Sequence, residues 1–532
     1  MFDTVLRGGF VLDGSGGPTF RADVGVSDGR IAAVDPDGRD RADARREVDV
    51  AGLVVAPGFI DMHAHSDLQI LANPEHRPKV TQGVTLEVLG QDGLSYAPID
   101  DDVLPQLRQV IAGWNDDPAD FDWSWRSVGE YLDRLDQGIA VNAAYLVPQG
   151  TLRMMHLGWD DRPATDRELD AQRTSLDAAL GQGALGMSSG LTYPPGMYAP
   201  TDELVALCEV VARRGGYYSP HHRSYGMGAL DAYAEMIDVS RRSGCPVHLT
   251  HATMNFPVNH GRAGELLALL DDAISDGVDV TLDSYPYAAA CTTLSSLLPS
   301  WSTRGGAEAV LALLRDPAGR ERIRVSIEET GSDGSHGVPV DWDTVVVAGA
   351  RNPSLAPYVG RSIAAITAEG GRKAYDVYAD ILLEDELGTT CVLEVGDEDN
   401  VQTIMRHPAH MVGSDGILVG ARPHPRAWGT FPRYLGHYAR ELGVLALPEA
   451  VAKMTSRPAR RLGLADRGRV EPGCVADLVA FDADQVADRA TYADPKQPAA
   501  GLPYVMVNGT FVIDDGRHTG ALPGRSVRAG AA

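Results

Sequence analysis

A short apolar run that ends in two histidines and an aspartate, AGLVVAPGFIDMHAHSD (residues 51–67), restricts this chain more than any other stretch. Residues 53–62 are nearly continuously apolar, with a break at Pro57 and Gly58, the pattern of a strand buried on both faces in a parallel sheet. Residues i and i+2 of a strand point to the same side, so His63 and His65 can face one metal ion where the strand ends. A lone His-x-His pair also caps edge strands. Here the pair follows a buried strand, and the C-terminal ends of such strands are where barrel enzymes carry their chemistry.

The chain then alternates apolar, β-rich runs with helical stretches, as βα units do. Candidate strands begin near Pro57, Val84, Ala140, Ala184, Gly216, Pro246, Asp279 and Met411, the eight that a closed (β/α)8 TIM-type barrel requires. Segments such as Thr201 to Arg214 and Ala229 to Ser243 space their apolar residues by three and four, as helices covering a barrel do. Short strands and Asp-Gly turns mark both chain ends (FDTVLRGGFVLDG, ADVGVSDGRIAAVD, ADLVAFD and YVMVNGTFVIDDG), which predicts one small β-sandwich domain built from both termini. The expected organisation is residues 1–55 and 468–532 in that domain, with SVRAGAA a frayed tail, and residues 56–467 in the barrel. The interval 288–400 exceeds an ordinary connection and holds helical patterns (Gly306 to Leu314, Ile363 to Glu384) and a strand-like VDWDTVVVAGA, so it is expected to be an inserted lid subdomain.

Composition narrows the partners. With 47 basic and 73 acidic residues the net charge is −26, which repels nucleic acid and anionic membranes. No stretch approaches the ~20 apolar residues of a membrane span, and MFDTVLRGGF lacks the basic and apolar regions of a secretion signal, so a cytoplasmic location is expected. The five cysteines are scattered without CxxC spacing, which predicts buried free thiols.

Other predicted strand ends also deliver ligand-type groups: Asp92 in GQDG, His221, His222 and Arg223 in SPHHRS, His248 and His251 in PVHLTH, and Asp415 in VGSDG. Taken singly, Asp92 reads as a turn residue, Asp415 as a helix cap, and one of His248 and His251 as a hydrogen-bonded core histidine. At the ends of several strands together, they point to a metal site more strongly than any one of them does.

These segments, with GMSSGLTYPPGMYAP, DSYPYAA, HPRAWGTFPRYLGHYARE and KMTSRPARRLGL, resemble the amidohydrolase superfamily over nearly the whole chain, and within it the N-acyl-D-amino-acid deacylases. The resemblance implies a zinc-dependent hydrolase of amide bonds. It places one metal on His221, His251 and the residue at position 92, and a second on His63, His65 and Asp415, with Asp415 moving the proton. Family members carry a cysteine in a GNCG turn where this chain has GQDG, so a hard carboxylate stands in for a soft thiolate, Mn²⁺ or Co²⁺ become possible occupants, and Glu87 is a reserve ligand. Tyr285 and Arg426 match residues that grip the substrate, Arg223 joins that set, and Thr253 stands where the family places a lysine that meets the substrate carboxylate. The expected substrate is a small N-acyl-D-amino acid. The loss of that lysine leaves open a cyclic amidase acting on a hydantoin- or lactam-like ring, or a deacylase of neutral amides, and the loss of the cysteine leaves open a non-catalytic descendant.

Overall fold

The computed structural model describes residues 1–36, 38 and 43–530. Its centre is an eight-stranded parallel sheet in chain order: β1 (Phe59–Asp61), β2 (Val84–Leu89), β3 (Asn142–Pro148), β4 (Gly186–Gly190), β5 (Tyr217–His221), β6 (Val247–Leu249), β7 (Val280–Ser284) and β8 (His410–Val412). Seven parallel pairings link these neighbours. The ring closes between first and last strands, where Met62 N donates to Val412 O at 3.2 Å, Asp415 N donates to His63 O at 2.8 Å, and Ala64 bridges Gly416. The structure is therefore a TIM-type barrel.

Burial explains why apolar runs mark these strands. Every residue of β1 to β6 is buried, because the barrel filling lies on one face and a helical layer on the other. Ile60, Met62, Leu86, Val88, Ala144, Leu146, Tyr217 and Met411 pack together with Ala459, Leu462 and Val527. Residues that alternate with these, such as Phe59, Leu89, Ala143, Tyr145 and Val147, join the larger core that includes the surrounding helices.

The apolar run 53–62 is two strands rather than one. Val54–Pro57 lies in a nine-stranded sheet made from both chain ends, pairing parallel with Phe2–Val11 and antiparallel with Leu478–Phe481, and the barrel begins only at Phe59. Gly58 makes the step: a Cβ there would meet the Thr85 side chain at 2.2 Å. The C-terminal segment departs from the frayed tail expected for SVRAGAA. Ser526–Val527 pairs parallel with Ala143 and Ala144 of β3, and Arg528 bonds Asp133 and Asp136; residues 531 and 532 lie outside the described residues.

Within residues 288–400, strands Ala290–Thr293, Thr390–Leu393 and Val345–Gly349 form an antiparallel sheet with its own apolar core, including Leu294, Val347, Tyr378 and Leu382. The helical pattern 363–384 is two helices, Ile363–Gly370 and Ala374–Glu384, because Gly371 ends the first in a left-handed turn (φ 64°). All five cysteines are buried and free. Among the described residues no helix is long and apolar enough to cross a membrane.

Candidate active site

Six side chains from five strand ends meet at the C-terminal mouth of the barrel. His63 and His65 lie just past β1, so the closing bridge through Ala64, rather than strand pleat alone, sets their convergence, with Nε2 atoms 3.2 Å apart. Asp92 follows β2, His221 ends β5, His251 follows β6 and Asp415 follows β8. Asp92 (φ 53°), His251 (φ 30°) and Asp415 (φ 49°) all adopt left-handed backbone that L-residues seldom take, a strain held by the surrounding barrel and common at functional sites. The turn that carries Asp92 requires glycine at position 90 (φ 76°), where a Cβ would run into the Leu146 carbonyl oxygen.

Asp92 sits between two histidine pairs. Its Oδ2 is 3.2 Å from His221 Nδ1 and 3.5 Å from His65 Nε2, and its Oδ1 is 3.5 Å from both His63 Nε2 and His251 Nε2. His221 Nδ1 and His251 Nε2 are 3.0 Å apart, and Asp415 Oδ1 is 3.1 Å from His65 Nε2. The ligand atoms thus fall into two sets, Asp92 with His221 and His251, and Asp92 with His63, His65 and Asp415, each within 4.8 Å.

Neighbouring groups fix the rings. Thr192 Oγ1 lies 2.7 Å from His221 Nε2, Tyr225 OH lies 3.1 Å from His251 Nδ1, and Trp114 packs on His65 with centroids 4.9 Å apart. Asp283 accepts from His251 N at 2.8 Å and also bonds His248 Nε2, which makes His248 the core histidine of that pair. A buried ionic cluster holds the barrel seam beneath: Lys79 Nζ donates to Asp61 Oδ2 at 2.6 Å and to Ser414 Oγ at 2.9 Å, while Asp61 Oδ1 accepts from Ser414 N at 2.8 Å and His63 N at 3.2 Å. Glu87 belongs to this cluster, bonded to His76 and Ser66, and not to the ligand sets.

The donor set fits divalent metal ions. Imidazole nitrogens paired at 3.0 and 3.2 Å point at shared space, and the buried Asp92 Oδ1 has no hydrogen-bond partner. Four imidazoles with two carboxylates suit zinc and similar divalent ions. Burial pushes His63 down to about 4 against the pull of Asp92 and Asp415, leaving it the neutral ligand form. Burial also opposes charge on His65, but its bonds to Asp415 and Asp92 raise it to about 10. Both carboxylates stay ionised despite burial, Asp92 through His221 and the other histidines, Asp415 through Arg426 and His65.

A profile of the amidohydrolase family matches residues 46–513. D-aminoacylase of Alcaligenes xylosoxydans is 38% identical over 532 residues, 100% of this chain and 98% of that protein. A D-aminoacylase structure with a binuclear metal centre superposes with TM-score 0.83 at 36% identity, covering 99% of this chain and 100% of the other. N-acyl-D-glutamate deacylase of Bordetella bronchiseptica, solved with zinc and a phosphonate mimic of the tetrahedral intermediate, gives 0.84 at 35% over the same shares. The chain belongs to the amidohydrolase family.

In this amidohydrolase five of the six metal-ligand candidates, all but His63, border a cavity walled also by Thr253, Tyr285 and residues of the insertion including Thr292, Ser296, His336 and Leu393. Arg426 stands behind that wall. Its side chain is fully buried, Nη1 is 2.8 Å from Asp415 Oδ2, Nη2 donates to Cys291 O at 2.9 Å, and its guanidinium lies 4.5 Å from the Tyr285 ring centroid. Arg223 is not brought to the cavity: it bonds Glu235 and the carbonyls of Met197 and Ala199, tying the β4 and β5 loops together. His222 packs between Tyr225 and Tyr233, outside both ligand sets. Cys291 reaches the cavity, but burial pushes its thiol up to about 11, which removes it as a nucleophile. Sequence reading missed Thr192 and Tyr193, which lie inside GMSSGLTYPPGMYAP, Tyr225, which directly follows SPHHRS, and Lys79. It also missed His336, which belongs to the insertion and has no local signal.

Proposed function

We propose that this amidohydrolase hydrolyses N-acyl-D-amino acids with uncharged side chains to a carboxylate and the free D-amino acid. The observation that carries the reading is the pair of ligand sets sharing Asp92, with Asp415 at the cavity edge. The D configuration comes from three relatives matched over nearly their full length, a D-aminoacylase, an N-acyl-D-glutamate deacylase and an N-acyl-D-aspartate deacylase. No lysine or arginine lines the cavity among the described residues, so an acidic substrate side chain has no counter-ion there.

His221, His251 and Asp92 would hold one divalent ion, and His63, His65 and Asp415 with Asp92 a second. When bound, such an ion lowers the pKa of water and polarises the amide carbonyl. Asp415, kept ionised by Arg426, takes the attacking water's proton at its carboxylate and returns it to the departing nitrogen, which leaves only as an amine. Tyr285 donates toward the tetrahedral oxyanion from the cavity wall. A screen of N-acetyl D- and L-amino acids beside hydantoins, following amine release, tests the reading: D substrates with uncharged side chains are cleaved first, and preferential ring opening of hydantoins would replace it with a cyclic amidase.

A second reading, hydrolysis of amides without a free carboxylate, is favoured by one observation. Thr253 Oγ1 donates to Asn255 Oδ1 at 2.7 Å, and Arg426, behind the cavity wall, is already committed to Asp415. Thr253→Lys separates the two. An added charged contact of about 1.5–3 kcal/mol lowers KM for N-acyl amino acids roughly tenfold or more if they are the natural substrates. Loss of activity on the best substrate, with the wild type preferring neutral amides, selects the second reading.

A further inference from the structure

Beside the central cavity lies a second chamber, reached past Trp114, Thr192, Tyr193 and Ser296, which line both. Leu94, Val110, Ile111, Leu298, Val310 and Leu387 form much of its wall, and no Asp, Glu, His, Lys or Arg lines it among the described residues. Trp114 meets Tyr193 edge-on with centroids 5.0 Å apart, so the doorway is aromatic. This space is not explained by the ligand sets or by Asp415.

We infer that the chamber is the acyl subsite and that the enzyme's preferred substrates carry an extended apolar acyl chain rather than acetyl. The assignment rests on the amide-hydrolase reading. The departing nitrogen must meet Asp415, which sits with Arg426 and Tyr285, so the amine half of the substrate lies on that side. The acyl half then runs the other way, along Trp114 and Tyr193, which pack on His65 and His221. The wall carries no charged side chain, and its leucine, isoleucine, valine and tryptophan side chains, standing beside Gln109, Thr293, Ser295 and Thr303, accept a hydrocarbon chain while giving a carboxylate or ammonium no counter-ion. The insertion supplies Leu298, Val310 and Leu387, so the same subdomain that covers the site sets acyl length.

The test compares kcat/KM for two series on the zinc-loaded full chain. In the first, the acyl group of an N-acyl-D-leucine grows from acetyl through butanoyl and hexanoyl to octanoyl. In the second, acetyl is kept and the D side chain grows from alanine to leucine to phenylalanine. The inference predicts that kcat/KM rises with acyl length, by up to about fourfold for each methylene buried, and by at least about tenfold overall. Ala307→Trp and Val110→Trp, on the chamber wall away from the ligand sets, flatten the acyl series while leaving acetyl activity within about twofold. An acyl series that is flat or falling while acetyl substrates are cleaved overturns the acyl subsite and leaves the deacylase reading standing. So does a dependence found only in the side-chain series, or a series that both tryptophan variants leave unchanged. If no member of either series is cleaved, the deacylase reading fails, and the acyl subsite with it.

Discussion

Asp92 stands where a ligand shared by the two proposed metal ions would be needed: each of its oxygens lies within 3.5 Å of histidines from both pairs. A carboxylate lacks the soft-metal bias of the thiolate that the family resemblance implies here. The protein is therefore expected to work with Mn²⁺ or Co²⁺ at rates equal to or above those with zinc, and Asp92→Cys to shift preference toward zinc, read from activity after reloading the metal-free protein with each ion. Asp415 carries a different burden. Asp415→Asn keeps the shape but cannot accept a proton, so turnover falls at least ~100-fold, while metal content, measured by elemental analysis, falls much less. Metal and rate vanishing together would make Asp415 chiefly a ligand. The six ligand candidates were legible because each is a polar residue set against an apolar strand. Arg223 misled for the same reason: it follows two histidines, and only the fold shows its guanidinium turned to Glu235.

At the scale of elements, strand starts were readable because β1 to β6 are buried on both faces and must be apolar. What depends on partners distant in sequence was not. Nothing in SVRAGAA announces that Ser526–Val527 pairs with β3, since that pairing exists only once the barrel has placed Ala143 and Ala144 beside it. Lys79 was equally silent, yet it is fully buried and ties Asp61 to Ser414 across the barrel seam. Removing one partner of a buried pair strands the other, at a cost of about 3–5 kcal/mol. Lys79→Met is expected to lower the thermal transition accordingly and to reduce activity as well, because Asp61 also positions the backbone of His63 and Ser414. A variant with unchanged transition and unchanged rate would show the cluster to be dispensable.

At the scale of the molecule, three parts divide the work. The barrel fixes the ligand sets, the sheet from both chain ends meets the barrel where Pro57 gives way to Phe59, and the insertion covers the mouth with its own core. Because the ligand groups come from five strand ends, only the complete barrel assembles them, and the central claim is that this assembly makes the chain a metal-dependent deacylase of D-amino acids. The most direct measurement strips the purified protein with a chelator, restores zinc in steps, and follows kcat/KM for an N-acyl-D-leucine and its L-enantiomer at each step. The account predicts negligible activity without metal, recovery with one to two equivalents of zinc, and at least tenfold preference for the D-enantiomer. Full activity in the stripped protein, or equal cleavage of both enantiomers at every zinc level, would contradict it.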